Sequence, residues 1–162
     1  MKVLVTGGAG FIGSNLVDKL IDRGHLVIVI DNLSAGKMEN INEKAKFYAA
    51  DLLDTDRLNE IFSLEGPEVV YHLAAQTMLR KSIDDPMSDA KTNILGTISV
   101  LEACRANDIK RIIYTSTGGA RVGEPDYLPV DEKHPLRPSS PYGISKHSAE
   151  HYVEADCSLY GL

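Results

Sequence analysis

Residues 5–13 read Val-Thr-Gly-Gly-Ala-Gly-Phe-Ile-Gly and join a short apolar run to an amphipathic one. The apolar run, Val3-Leu4-Val5, is typical of a buried strand, and the pattern from Phe11 to Arg23 is typical of a helix. Glycines at such a junction permit a tight turn and let a phosphate approach the backbone, while the helix N-terminus offers unpaired N–H groups. The glycines fit Gly8-x-Gly10-x-x-Gly13 or Gly7-x-x-Gly10-x-x-Gly13, so we expect a dinucleotide-binding turn. The alternative is a glycine-rich turn that binds no ligand.

Strand and helix patterns alternate along the rest of the chain. The further apolar runs are Leu26–Ile30, Phe47-Tyr48, Val69–Leu73 and Arg111–Tyr114, and the further helical patterns are Asp54–Leu64, Met87–Asn107 and Pro141–Leu159. Continuous apolarity indicates strands that are covered on both faces, and the alternation indicates βαβ units in a parallel sheet. The predicted fold is therefore a doubly wound, Rossmann-like α/β sheet. The proline-rich stretch from Glu124 to Pro141 predicts a long surface loop.

Length and composition fit one globular domain, residues 1–162, with 43% hydrophobic and 25% charged residues. A net charge of -6 without a Lys/Arg cluster argues against a nucleic-acid partner. The sequence has no apolar run of about 18 residues and no signal-peptide pattern, so we expect a cytoplasmic protein that does not enter a membrane. Cys104 and Cys157 lack CxxC spacing and predict two reduced, partly buried thiols.

The histidines give no pattern that predicts a metal site. His147 and His151 have i,i+4 spacing, but the HExxH arrangement of zinc proteases is absent. We therefore expect no metal cofactor. His25 and His134 are expected to be surface residues.

Asp31 ends the second predicted strand, where a carboxylate can accept hydrogen bonds from the adenosine ribose hydroxyls. Such a carboxylate would repel a 2′-phosphate, which favours NAD over NADP, although Lys37 lies nearby in sequence. The alternative is that Asp31 caps the turn through Asn32-Leu33-Ser34. Asp51 and Leu52 follow the third strand and are candidates for the adenine end.

Tyr142 and Lys146 open the last predicted helix, and their four-residue spacing places them on one helical face. A neighbouring ammonium favours the phenolate form of a tyrosine, so Tyr142 is a candidate general base and Lys146 its activator. The alternative is an aromatic core residue beside a solvated lysine. The glycine turn in the same chain favours the catalytic interpretation.

The sequence resembles the extended short-chain dehydrogenases/reductases and, within them, the UDP-glucose 4-epimerase-like enzymes. The resemblance covers nearly the whole chain and rests on residues 5–13, Asp31-Asn32-Leu33, His72-Leu73-Ala74-Ala75, Asn93, Tyr114–Ala120 and Ser140–Lys146. It implies an NAD-dependent nucleotide-sugar epimerase in which Tyr142 is the base, Lys146 activates it and binds the nicotinamide ribose, and a hydroxyl group is the third member. Thr117, 25 residues before Tyr142, fits that third position, with Ser116 as the fallback.

The resemblance also implies a set of residues that bind the cofactor. Leu73, Ala74 and Ala75 would line it, and Asn93 would be a structural or cofactor-side polar residue. With the residues above, the expected NAD site is Gly7, Gly10, Phe11, Ile12, Gly13, Asp31, Asn32, Asp51, Leu52, Leu73, Ala74, Ala75, Asn93, Tyr142 and Lys146.

Two departures from the family pattern change what is expected. Arg121-Val122-Gly123 stands where the family usually has Val-Tyr-Gly, so an aromatic side chain near the substrate entrance is missing. Family members are also about twice as long, so we expect the C-terminal substrate lobe to be absent and this portion alone to be inactive or weakly active. The resemblance further implies a UDP-linked sugar as substrate and a homodimer formed through the two long helices.

Two other functions stay open. The first is a nucleotide-sugar dehydratase or decarboxylase; in similar 4,6-dehydratases the catalytic Thr is followed by Asp-Glu, whereas Thr117 is followed by Gly118 and Gly119. The second is a non-catalytic NAD(H)-binding module, because the same fold supports many functions.

Overall fold

The structure is a computed structural model that describes residues 1–162. Its five strands are β1 (Lys2–Thr6), β2 (Leu26–Asp31), β3 (Lys46–Ala49), β4 (Val69–His72) and β5 (Ile112–Tyr114). All neighbouring strands are parallel, and their order is β3-β2-β1-β4-β5. The chain crosses from one side of β1 to the other between β3 and β4, which is the topology of a doubly wound sheet and confirms the predicted fold class.

Helices cover both faces of the sheet. They are α1 (Phe11–Asp22), α2 (Thr55–Glu65), α3 (Leu79–Asp84), α4 (Pro86–Ala90), α5 (Gly96–Ala106), α6 (Gly119–Val122) and α7 (Pro141–Tyr160). Leu4 packs on one face with the apolar residues of α2 and α5, whereas Val3 and Val5 pack on the other with Val17 and Leu20 of α1. Successive strand residues thus enter different cores, which explains why the strands read as continuously apolar.

The pattern from Met87 to Asn107 predicts one helix, but the structure has three segments there. A π-helical segment, Lys91–Leu95, lies between α4 and α5. The hydrophobic period alone does not reveal such a turn because the backbone on both sides stays helical. π-Turns are frequent at functional sites, and this one carries Asn93. Two short helices, α3 and α6, were also not predicted.

Sequence signals placed the helix ends well. The Asp54 carboxylate accepts a hydrogen bond from the Arg57 backbone N–H at 3.1 Å and caps α2, which ends at Gly66 in the left-handed conformation. The Ser140 hydroxyl caps α7 by accepting from the Gly143 N–H at 3.1 Å, and Gly161 ends that helix at a φ of 70°. These two residues therefore fix where α7 begins and ends.

A buried carboxylate, Glu65, ties the amino-terminal edge of the sheet together. The Lys46 ammonium lies 2.5 Å from the Glu65 carboxylate, and the Tyr48 hydroxyl also donates to it. Burial alone would raise the pKa of Glu65, but the hydrogen bonds from Lys46 and Tyr48 outweigh it and hold that pKa below its ordinary value. This network lies away from the carboxyl ends of the strands and serves stability.

Two expectations about individual side chains were wrong, namely a surface position for His134 and partial burial of both thiols. Between Gly123 and Ser140 the chain forms no helix or strand, as predicted, but this loop folds on itself and buries His134, which is only 4% exposed. The His134 imidazole accepts from the Asp126 N–H at 2.9 Å and donates to the Pro135 carbonyl at 2.8 Å, contacts that its hydrophilic surroundings in sequence do not indicate. His25 is half-buried, and Cys157 is exposed, whereas Cys104 is fully buried.

No helix in the structure is both long and apolar enough to traverse a bilayer.

Candidate active site

A cleft of about 770 Å³ lies at the carboxyl ends of the strands, where the strand order reverses around β1. Ligands of open α/β sheets bind in this crevice. Its walls come from the glycine turn, the segments after β2, β3, β4 and β5, and the start of α7. Among the residues expected at the site, only Asn93 and Thr117 do not line it.

The glycine turn has room for glycine only. A Cβ on Gly7, whose φ is 73°, would lie 2.6 Å from the Ala74 nitrogen, and a Cβ on Gly13 would lie 2.1 Å from the Gly7 carbonyl oxygen. Gly10 is the N-cap of α1 and offers no side chain, so no side-chain cap occupies the first N–H groups of this 12-residue helix. These groups border the cleft, where an anion would be favoured.

Asp31 is fixed against the glycine turn. One of its carboxylate oxygens accepts from the Ala9 N–H at 3.0 Å, and the other accepts from the Leu33 N–H at 2.8 Å. The turn-capping alternative is therefore formed, but it leaves lone pairs on both oxygens for a further donor in the cleft. Asn32 donates to Asp51 at 2.8 Å and joins the ends of β2 and β3. Lys37, the nearby cation that weakened the argument for NAD over NADP, is 70% exposed, pairs with Glu39 at 3.2 Å and does not line the cleft.

Lys146 is buried, which contradicts the alternative of a solvated lysine. It is 3% exposed, and its ammonium donates to the Thr115 carbonyl at 2.7 Å and lies 4.2 Å from the centroid of the Tyr114 ring. Burial lowers the pKa of Lys146 to about 8, although the negative charges of Glu150 and Asp89 act to raise it. Tyr142 lines the same cleft one helical turn earlier, and no hydrogen bond joins the two side chains. The ammonium keeps further N–H groups for a ligand.

The two candidate hydroxyls after β5 occupy different positions. Ser116 lines the cleft, and its buried Oγ has no hydrogen-bond partner in the structure. Thr117 is half-buried and lies just beyond the cleft wall. The Ser116 hydroxyl nevertheless lies close enough to the Glu150 carboxylate to help lower the pKa of that group.

His72 supports the floor of the cleft from below. It is 1% exposed, and burial lowers its pKa to about 3, so the imidazole is neutral near neutral pH. The Thr97 hydroxyl donates to the Asn93 carbonyl at 2.7 Å and so accepts from His72 Nε2 at 2.9 Å. His72 Nδ1 then accepts from the Thr6 hydroxyl at 2.7 Å, and that oxygen accepts from the Ala74 N–H at 3.2 Å. One hydrogen-bond chain thus joins α5 to the base of the glycine turn.

Asn93 lies behind the cleft wall and is 1% exposed. Its side-chain oxygen accepts from the Gln76 N–H at 2.8 Å, and its amide group donates to the Gln76 carbonyl at 3.1 Å. Asn93 therefore fixes the backbone immediately after Ala75, which lines the cleft. The geometry indicates a structural residue rather than one in direct contact with a cofactor.

Sequence reasoning missed several residues of the wall. The additional lining residues include Ser34, Ala35, Gly36, Gln76, Thr77, Met78, Lys81, Ser88, Thr92 and Thr115. Those after β2, β4 and β5 could have been included because they follow the carboxyl ends of strands. Lys81, Ser88 and Thr92 gave no local signal, since they reach the cleft only through the packing of α3, α4 and the π-turn.

Comparison with known proteins shows which family this chain matches. The model of the NAD-dependent epimerase/dehydratase family matches residues 3–162. A protein of Methanocaldococcus jannaschii is 52% identical over 160 residues, which are 99% of this chain and 52% of that protein. UDP-glucose 4-epimerase of Mycolicibacterium smegmatis is 42% identical over 167 residues, covering 100% of this chain and 53% of that protein.

Solved structures give the same result. UDP-glucose 4-epimerase of Thermotoga maritima, solved with UDP-glucose, superposes with a TM-score of 0.98 at 50% identity and covers 100% of this chain and 53% of its own. The Thermus thermophilus UDP-glucose 4-epimerase, solved with NAD, has a TM-score of 0.96 at 44% identity. The match covers 100% of this chain and 52% of that protein. The chain thus spans about half the length of the relatives it matches.

Proposed function

The chain belongs to the NAD-dependent epimerase/dehydratase family, and from that membership we propose that it is the NAD-binding, Tyr142/Lys146-bearing portion of a nucleotide-sugar 4-epimerase of the UDP-glucose/UDP-galactose type. The observation that carries the proposal is the cleft, in which the glycine turn, Asp31 and the first turns of α7 meet. The two relatives solved with UDP-glucose and with NAD support the ligand classes. Residues 1–162 would act as one NAD-binding domain.

The residues present fit NAD. The cradle formed by Gly7 and Gly13 leaves no space for a Cβ, and the N-terminus of α1 beside it suits the pyrophosphate. Asp31 is held by two backbone N–H groups and would accept hydrogen bonds from the adenosine ribose. Asp51 and Leu52 would flank the adenine. Lys146 would donate to the nicotinamide ribose.

NAD, when bound, supplies reversible hydride chemistry at the sugar C4. The protein supplies position and proton transfer. We propose that Tyr142 takes the proton of the sugar 4-hydroxyl group as C4 is oxidised and returns it when C4 is reduced on the opposite face. The buried positive charge of Lys146 would favour the phenolate form that accepts the proton.

Thr117 is the proposed third catalytic residue because of its spacing from Tyr142. Ser116 is the alternative candidate for this role because it lines the cleft. We expect Thr117→Val in the full-length protein to lower kcat by roughly 10²-fold, the lower end of positioned acid–base effects. Ser116→Ala is the comparison. A large loss in Ser116→Ala with none in Thr117→Val would transfer the role to Ser116.

The proposal favours epimerisation over dehydration. Dehydration across C5 and C6 needs an acid and a base near C6, but Gly118 and Gly119 carry no side chain, and a Cβ built on either would meet nothing within 4 Å. Incubation of the full-length protein with UDP-glucose, followed by NMR of the products, tests this. UDP-galactose is the expected product, and accumulation of a 4-keto-6-deoxy sugar would refute the proposal.

Tyr142→Phe should lower turnover by roughly 10²-fold and leave NAD bound.

The proposed cofactor preference is tested on the chain itself. We expect calorimetry to show tighter binding of NAD than of NADP, because the Asp31 carboxylate would repel a 2′-phosphate. Asp31→Ala should weaken NAD binding and reduce the difference in affinity between NAD and NADP. Equal or tighter binding of NADP by the unmodified chain would contradict the assignment.

We further propose a cytoplasmic homodimer. Both thiols are free, which suits a reducing compartment. Met87, Leu95, Ile144 and Tyr152 are between 47% and 66% exposed along the two long helical regions, which suits an apolar contact between copies. Strand β5 is an edge strand and offers a second route to association. Size-exclusion chromatography with light scattering should show an oligomer, and an assay of the chain alone should show little or no epimerisation.

A further inference from the structure

Asp89, at the end of α4, is a buried carboxylate that the proposed chemistry does not use. It is 1% exposed and accepts three hydrogen bonds, from the Gln76 amide at 2.9 Å, the Asn93 amide at 3.1 Å and the Ser145 hydroxyl at 2.6 Å. No Lys, Arg or His side chain lies within ion-pair distance of it, unlike the buried Glu65. A buried carboxylate held only by neutral donors is costly, so a structural role alone is a weak explanation.

The three donors connect two walls of the cleft. Ser145 lies on α7 immediately before Lys146, and Gln76 lies in the segment after β4 that lines the cleft. The Asp89 carboxylate bridges them, and Asn93 donates to both Asp89 and the Ser145 oxygen. The Asp89 carboxylate therefore links α7, which carries Lys146, to the segment after β4 that lines the cleft, which we call the cofactor wall.

Asp89 also acts on the buried ammonium of Lys146, because the negative charge of Glu150 and then that of Asp89 raise the Lys146 pKa against the effect of burial. The titratable groups around that ammonium are His72 of β4, Tyr114 of β5, Tyr142 and Glu150 of α7, and Asp89 of α4. His72 is neutral, and burial raises the pKa of Tyr114 far above its ordinary value. Glu150 is already paired with Arg121 at 2.6 Å and with His147 at 3.1 Å. Asp89 is thus the negative charge near Lys146 that no other cation neutralises.

Building on the proposed function, we propose that Asp89 is a positioning residue for Lys146. It anchors α7 to the cofactor wall through Ser145 and Gln76, and its negative charge stabilises the protonated form of the Lys146 ammonium. Charge and anchorage are separable by substitution, because Asp89→Asn removes the charge and keeps hydrogen-bonding atoms, whereas Ser145→Ala removes one hydrogen bond and keeps the charge.

Asp89→Asn tests the charge. The new amide group can face the Ser145 oxygen, which is then free to donate its hydrogen to the Tyr142 carbonyl at 3.0 Å, so the local geometry can persist. The measurement is the titration of the Lys146 ¹³Cε resonance in lysine-labelled chain, assigned with Lys146→Arg. We expect the midpoint to move to lower pH in Asp89→Asn and to stay in place in Asp84→Asn, which removes an equal charge from a side chain that is 61% exposed. An unmoved midpoint in folded Asp89→Asn would overturn the charge role.

Ser145→Ala tests the anchorage. It removes the 2.6 Å hydrogen bond but keeps the carboxylate, so the Lys146 midpoint should stay close to that of the unmodified chain. Calorimetric titration with NAD should show affinity weakened by about tenfold, because α7 is no longer tied to the cofactor wall and Lys146 is less well aligned with the ligand. Unchanged affinity would overturn the anchoring role, and this arm decides the proposal if Asp89→Asn does not fold. Failure of the unmodified chain to bind NAD would instead refute the proposed function, while the resonance titration would still decide the charge role.

Discussion

Replacing Lys146 by Met should make the stability of the chain less dependent on pH. Burial lowers the pKa of Lys146 from its ordinary value of 10.5 to about 8 in the folded state. Between these two values the unfolded chain binds more protons than the folded chain, so stability rises with pH in that window, and the full cost of the buried charge is present below about 8. From about pH 7 to about pH 9.5, Lys146 should add about 2 kcal/mol to the free energy of unfolding of the unmodified chain. Met has a similar length and no charge, so this contribution should vanish.

Urea unfolding followed by circular dichroism across this pH range measures the effect. The quantity to compare is the change with pH in the difference between Lys146→Met and the unmodified chain, because all other titrating groups are common to both. Lys110→Met is the matched control, since that side chain is 64% exposed, and it should follow the unmodified chain. If the free energy of unfolding of Lys146→Met changes with pH as much as that of the unmodified chain, burial does not lower the pKa of the Lys146 ammonium as described.

Other predictions follow from particular contacts. Gly13→Ala places a Cβ 2.1 Å from a backbone oxygen and should abolish NAD binding, whereas Gly119→Ala meets nothing within 4 Å and should bind NAD normally; calorimetry on both variants checks this. Glu65→Gln should cost about 1–3 kcal/mol of stability at neutral pH in urea unfolding, and the cost should shrink as pH falls through the lowered pKa of Glu65. A thiol reagent should modify one cysteine per native chain, Cys157, because Cys104 is buried and burial raises its pKa to about 12.

The architecture of this chain could be read from its sequence because the signals for it are local. Strands covered on both faces read as continuous apolar runs, and the helices between them carry their own stop signals, such as Gly66 and Gly161. The glycine turn was recognisable for the same reason, since its function depends on the absence of side chains at Gly7, Gly10 and Gly13. The interruption of the long helix by a π-turn was not predicted because its residues have no distinct period.

Most of the candidate site was predicted from its position at the carboxyl ends of the strands. Asp31 and the Tyr142/Lys146 pair lie in the cleft because chain direction and helical spacing alone bring them there. Asn93 was expected to be a structural or cofactor-side residue, and packing places it behind the cleft wall, where it holds the backbone of Gln76.

Sequence by itself determined the chain direction, the order of elements and the residue types at the cleft, because each follows from hydrophobic period, turn chemistry and spacing within a few tens of residues. Only the tertiary structure decided the environment of each group. Three features depend on segments that are far apart in sequence. They are the burial of Lys146, the neutral His72 between Thr6 and Thr97, and the Asp89 carboxylate shared by Gln76 and Ser145. Desolvation and hydrogen-bond partners depend on everything that packs around a side chain, and no local pattern encodes them.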